Sequence, residues 1–113
     1  MAAVYVTNLV INSGSDFSQS FTLEGINNSP LNLTGFSVSA QMRKWSGSST
    51  AITFETVVLF PSTSGRIVIV LSSANTVNIR PGRYVYDVMI TDSSGIKNRV
   101  IEGMVLVREG VTR

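Results

Sequence analysis

The stretch RPGRYVYDVMITDSSGIKNRVIEGMVLV, residues 80–107, decides the fold. Arg80-Pro81-Gly82 punctuates a turn. Beyond it Tyr84, Tyr86, Val88 and Ile90 fall on one phase of a two-residue period, and Val85, Asp87 and Met89 on the other. Asp92-Ser93-Ser94-Gly95 reads as a short hairpin loop, a type I turn closed by Gly95 in the left-handed region. A second run, 99–107, carries Glu102 inside an apolar sequence. Gly82-x-Tyr84 has the spacing of a tyrosine corner, in which a Tyr hydroxyl ties back to the upstream backbone. Antiparallel sheets commonly keep one face on the core and one in water. Both phases of this hairpin are apolar, and each strand holds one carboxylate.

The same period continues outward. Phe17, Phe21 and Leu23 share a phase with Gln19, against Ser18, Ser20, Thr22 and Glu24. Phe36, Val38, Ala40 and Met42 alternate with Ser37, Ser39, Gln41 and Arg43. Runs 4–11, 52–60 and 66–71 are rich in β-branched and aromatic residues. Gly, Pro, Asn, Asp and Ser cluster at 12–15, 25–30, 46–49 and 61–65, as turns require. Segment 72–79 predicts a helical turn capped by Ser72, with Val77 and Ile79 tucked beneath it. About seven antiparallel strands, with turn signals roughly every 8–15 residues, predict an all-β, immunoglobulin-like β-sandwich. It carries one short helical turn near 72–79 and forms a single domain over 1–113. The Cys–Trp–Cys core of antibody domains is absent, since the chain has no Cys.

Composition narrows the chemistry. Charged residues are 14% of the chain, against about 25% in ordinary soluble domains. So lightly charged a surface suits a subunit covered by neighbours, and equally a neutral, Ser/Thr-rich β-domain. The absence of both Cys and His removes disulfides, Cys/His zinc sites, thiol nucleophiles and imidazole bases. Nine Lys/Arg against seven Asp/Glu is too small an excess, and too scattered, for a polyanion-binding surface. No apolar run approaches the roughly 18 residues of a membrane span. No basic segment precedes a short apolar one at the start, so no signal peptide is expected.

Asp87 and Glu102 are the carboxylates of interest, because each lies within an apolar strand. If 84–91 and 99–107 pair, the two approach one another. A glycosidase pair needs a sugar cleft around it, and no loop here is long enough to build one. Asp87 is therefore expected to pair with Arg43, Arg83 or Arg99. No catalytic, cofactor-binding or metal-binding residue is assigned. If Glu102 points outward, unbroken alternation carries Val100, Met104 and Leu106 outward with it, beside Val85, Asp87 and Met89. In the opposite register Ile101, Val105 and Val107 face out. Either set makes an exposed apolar patch of the kind that marks an interface. Trp45 reads first as a lid on the core. With Arg43 it is also a candidate for stacking on a sugar, in a carbohydrate- or cell-surface-binding module that would use Tyr5 and the loops at 25–30 and 46–50.

The order of these features resembles a known group. Asp16-Phe17, Leu33-Thr34-Gly35, Met42-Arg43, Gly65, Leu71-Ser72, Pro81-Gly82-x-Tyr84, Tyr86-Asp87, Gly95, Glu102-Gly103 and Val111-Thr112-Arg113 match small immunoglobulin-like virion structural proteins of tailed bacteriophages, especially the T4-like phages of marine cyanobacteria. The chain is also similar to the N-terminal domain of phage baseplate upper proteins. The likeness spans nearly the whole sequence. It implies a non-enzymatic docking domain, a virion protein made in the host cytoplasm. Its implied partners are capsid or tail/baseplate subunits, or further copies of itself in a homo-oligomer, with no nucleic acid, membrane or cofactor. No coiled coil or receptor module follows Arg113, a departure from the baseplate pattern that predicts a free-standing decoration of head or tail, or an adaptor.

Overall fold

The computed structural model of the protein describes residues 5–25 and 29–111; Val4, Asn27-Asn28 of the 25–30 turn, and Thr112-Arg113 lie outside the described residues. The hairpin forms where the sequence places it. Strand β8 (Gly82–Thr91) pairs antiparallel with β9 (Lys97–Arg108), Tyr84 opposite Val105 and Asp87 opposite Glu102. Its loop closes as expected. Gly95 has φ 91° and donates its N–H to Asp92 O at 3.0 Å. Asp92 Oδ1 accepts from the Ser94 hydroxyl and from the Ser94 and Ile96 N–H groups, and the Ser94 hydroxyl bond first among these holds its pKa below the ordinary carboxylate value.

The remaining strands arrange themselves around this hairpin in two sheets. They are β1 (Tyr5–Val6), β2 (Leu9–Asn12), β3 (Phe17–Thr22), β4 (Ser37–Arg43), β5 (Ala51–Thr53), β6 (Glu55–Val58) and β7 (Arg66–Leu71). The large sheet runs β1-β9-β8-β4-β5, with β2 also on β9; the small sheet runs β3-β7-β6. Their inner faces make one core. Ile11, Met42, Val88, Val105 and Val107 come from one side, and Ile67, Ile69 and Leu71 from the other. Fully burying such an aliphatic side chain is worth about 1.5–3 kcal/mol, an upper figure because denatured chains already bury part of that area. The fold is an all-β, immunoglobulin-like sandwich.

Four local departures have physical causes. First, the N-terminal strand is the exception to the expected antiparallel order. β1 and β2 lie parallel to β9 in one continuous register, Tyr5 opposite Ile101 and Leu9 opposite Val105. The ladder is dented between them. Thr7 N–H still donates to Glu102 O at 2.9 Å, but Met104 N–H is taken by Asn8 Oδ1 at 3.1 Å. Thr7 O instead accepts the Tyr86 hydroxyl at 2.6 Å.

Second, run 52–60 is not one strand of one sheet. It switches sheets at Phe54, which is buried and packs its ring 6.0 Å from Phe17 and 6.5 Å from Tyr86.

Third, the helical turn is α1 (Ser73–Thr76), and Ser72 stands at its N-cap without a side-chain cap bond. The cap comes from Asp16 Oδ1, which accepts Ser73 N–H at 2.6 Å across the loop. Ile79 is buried as expected, but Val77 is exposed. The fully buried residue is Thr76, whose hydroxyl donates to Ser15 O at 2.8 Å and accepts from Gly14 N at 3.1 Å. Those bonds, rather than apolar tucking, fasten the helical turn to the β2–β3 loop.

Fourth, Val100 does not face outward; it is 0% exposed. Val88 is opposite Ile101 while Met89 is opposite Arg99, so β9 carries one extra residue and Val100 is the bulge. Val100 and Ile101 both turn into the core, and the alternation restarts one residue late.

Tyr84 forms the corner. Its hydroxyl donates to Arg80 O at 2.6 Å, and Lys44 Nζ lies over its ring, 4.9 Å from the centroid. Gly82 turns into β8 with φ 144°, a backbone conformation that side chains disfavour.

Candidate functional site: the outer face of the large sheet

With the inner face of the large sheet spent on the core, its outer face is laid out by strand register. Three cross-strand rows matter. Val6, Glu102, Asp87, Gln41 and Thr53 make the first. Met104, Val85, Arg43 and Ala51 make the second, extended by Asn8 through its bond to Met104 N–H. Val10, Leu106 and Arg83 make the third.

Val6, Val10, Val85, Met104 and Leu106 are all exposed, Val6 at 74% and Met104 at 47%. They form a continuous apolar surface over β1/β2, β9 and β8. A shallow open depression of about 740 Å³ overlaps the part of it formed by Val6, Val85 and Met104, and Asn8, Gln41, Arg43, Asp87, Arg99 and Glu102 line the depression as well. Met89 is only half-buried, one row beyond, opposite Arg99.

The charges line the same depression. Asp87 and Glu102 are direct cross-strand partners, and like charges so placed repel. Arg99 resolves this. Its Nε is 3.2 Å from Asp87 Oδ2 and its Nη1 is 3.7 Å from Glu102 Oε1. The bulge makes the arrangement possible, because the extra residue keeps Arg99 on the outer face next to both carboxylates. Of the three arginines expected as partners for Asp87, Arg99 is the one that forms the pair. A pair of exposed ion contacts of this kind adds at most about 1 kcal/mol to stability. What it does is fix a charge pattern in the middle of an open face. Among the described residues, no three Asp or Glu gather as a metal-ligating group.

Arg43 and Trp45 occupy the end of the β4–β5 hairpin. Arg43 is committed to that hairpin, donating from Nη1 to Ser48 O at 2.5 Å and from Nη2 to Gln41 Oε1 at 3.1 Å. Trp45 is not a core lid: it is 61% exposed. No aromatic ring pairs with it among the described residues.

Of the two registers the sequence leaves open, the structure takes the one with Val85, Asp87, Glu102, Met104 and Leu106 on the outer face, but with Val100 in the core and Met89 half-buried. Sequence reasoning missed Val6 and Val10, which join the patch through the parallel ladder to β9. Alternation within 4–11 marks them as one phase of a strand, but only the topology puts that strand next to β9.

Tyr86 supports this face from behind. Its hydroxyl holds Thr7 O, and burial pushes its pKa up to about 12. A tyrosine whose folded pKa exceeds its unfolded value of about 10 contributes stability that is complete below pH ~10 and lost as pH rises towards 12. Tyr86→Phe should cost about 1 kcal/mol at neutral pH, from the lost bond to Thr7 O. It should also flatten the decline in stability above pH ~10, whose limiting slope for one proton is about 1.4 kcal/mol per pH unit. Urea unfolding of parent and variant at about pH 8, 10 and 11 gives the difference directly. Parallel declines would mean that Tyr86 does not govern the alkaline limb.

No protein-family model matches the chain, and no curated protein matches it. Solved structures do. An arginine-to-glutamate mutant of the SrpA adhesin from Streptococcus sanguinis is 12% identical with a TM-score of 0.53, over 96% of this chain and 57% of that one. An internalin-like protein of Listeria monocytogenes is 13% identical at 0.45, over 95% of this chain and 28% of that one. A family 123 glycoside hydrolase from Clostridium perfringens is 13% identical at 0.43, over 96% and 24%. This chain therefore spans just over half of the adhesin chain, and at these identities the likeness is one of fold.

Proposed function

We propose that this protein is a non-enzymatic docking subunit of a tailed-phage particle, an accessory or decoration component of the head or of the tail/baseplate. It works by protein–protein contact through the outer face of the large sheet. The observation that carries the reading is that face. Val6, Val10, Val85, Met104 and Leu106 are exposed together on a sheet whose other side is already the core. Scattered surface aliphatics are ordinary, but a contiguous set flanked by charge is the composition of an interface. The virion setting is supplied by the sequence resemblance. The non-enzymatic reading rests on the lack of His and Cys, and on Arg99 occupying the space between the paired carboxylates. A glycan-binding role has a lone exposed Trp45 in its favour, with no second aromatic ring beside it among the described residues.

Val85→Glu combined with Met104→Glu tests the docking role. Both side chains point away from the core; as cross-strand partners the two glutamates repel by up to about 1 kcal/mol, so the purified variant should stay folded with a Tm within roughly 10 °C of the parent. Its copy number in purified particles, measured by quantitative mass spectrometry against the major capsid protein, should fall at least tenfold. Parent-level incorporation of the folded variant would sink the proposal.

A further inference from the structure

The outer face is also where the molecule concentrates its positive charge. Among the described residues, register and alternation place Arg43, Arg83, Lys97, Arg99 and Arg108 on it, against Asp87 and Glu102 alone. Five cations against two carboxylates give that face a net +3, while the other described residues, Lys44, Arg66 and Arg80 against Asp16, Glu24, Glu55, Asp92 and Glu109, are net negative. The five cations are not equivalent. Arg99 is engaged by Asp87 and Glu102, and Arg43 by its own hairpin. Arg83 and Arg108 make no ion pair among the described residues. Arg83 is the cross-strand neighbour of Leu106, and Arg108 follows Leu106 at the next outward position of β9. These two cations thus rim one end of the apolar patch.

We propose that the occupant of this face is a protein surface of complementary chemistry, apolar at its centre and bearing carboxylates where it meets Arg83 and Arg108. This rests on the docking role and names the partner's chemistry. A second copy of the chain fits poorly. Among the described residues its only carboxylates on this face are Asp87 and Glu102, and Arg99 engages both, so a second copy would bring two net positive faces together with no free carboxylate to meet Arg83 and Arg108. A nucleic acid fits poorly too, because Asp87 and Glu102 would meet phosphates and the apolar centre would have no counterpart on a charged backbone. Opposite charge around an apolar centre steers encounter and rejects wrong partners, with the apolar contacts holding the complex once formed.

The test uses the whole protein and defined probes. Isotope-labelled protein is titrated with a peptide alternating Leu and Glu, with its Leu/Lys counterpart and with a short oligothymidylate. The Glu peptide should shift the amide resonances of Val85, Met104 and Leu106 saturably. Its affinity should fall at least tenfold with Arg83→Glu/Arg108→Glu, and again between about 50 and about 500 mM salt. Equal response to the Lys peptide, tighter binding of the oligothymidylate, or a dimer in sedimentation velocity that Met104→Glu dissolves would each overturn the inference. Particle incorporation separates this inference from the docking role. Loss of Val85→Glu/Met104→Glu with full retention of Arg83→Glu/Arg108→Glu leaves docking standing and removes the acidic partner. Retention of the apolar variant removes both.

Discussion

Gly103→Ala should destabilise the domain by about 3 kcal/mol or more, lowering its Tm by on the order of 10 °C, although alanine is ordinarily the better strand residue. Elsewhere in a strand the substitution gains roughly 0.5–1 kcal/mol, because alanine loses less conformational freedom on folding. The reversal of sign comes from one contact. A Cβ at position 103 would collide with Thr7 O, and would lie 2.8 Å from Thr7 C and 3.1 Å from Tyr86 Cε1. Backbone atoms cannot swing away as a side-chain tip can. To admit the methyl, the dent between β1 and β2 must move outward, and Thr7 O then leaves the Tyr86 hydroxyl that it meets at 2.6 Å. The two losses are coupled. In a double-mutant cycle, adding Tyr86→Phe to Gly103→Ala should cost less than the two single effects together. Thermal unfolding followed by circular dichroism measures all three variants. An alanine variant at least as stable as the parent would show that the edge strand does not need this close approach. Because Val6 and Val10 ride on the same edge strand, the contact also sets where half of the apolar patch stands.

Much of this is legible in the chain because it is local. The two-residue period of 84–90, the Asp92–Gly95 turn and the Gly82-x-Tyr84 corner each depend on a few neighbouring residues. What stays hidden is the consequence of one residue meeting another far away. Asp16 reads as an ordinary turn residue; nothing near it says that it caps a helix beginning at Ser73. The bulge is hidden for a different reason. Alternation is read on the assumption that it never slips, and the run Arg99-Val100-Ile101 bears no mark of an extra residue. In this chain the slip moves Val100 inward and leaves Arg99 outside. Gly103 did carry a signal. An isolated glycine inside an apolar strand indicates a bulge or a close backbone approach, though not which segment approaches. The site follows the same division. Its hairpin half can be read from one stretch of sequence, and its Val6–Val10 half needs the parallel ladder.

Gly65→Ala should cost about 3 kcal/mol, and Gly65→Asn no less, which identifies the origin of the effect. Gly65 closes the 3-10 turn Ser62–Ser64 with φ 71° and leads into β7. That left-handed conformation costs a residue with a Cβ roughly 1–2 kcal/mol, and asparagine tolerates it better than alanine. Were backbone conformation the whole cost, asparagine would recover much of it. The surroundings argue otherwise. A Cβ there would lie 2.5 Å from Leu23 O, 2.9 Å from Leu31 N and 3.0 Å from Leu31 O, all backbone atoms. The same segments form a hydrogen-bonded junction, with Leu23 N–H donating to Gly65 O at 2.7 Å and Leu31 N–H to Leu23 O at 2.9 Å. Leu23 itself is fully buried, so displacing its carbonyl also disturbs the top of the core. Both substitutions must open this junction, and asparagine brings a larger side chain to do it with. Chemical unfolding should therefore give nearly equal losses for the two variants. An asparagine variant close to the parent would assign the cost to backbone conformation and rule out the Leu23 and Leu31 contacts as its cause.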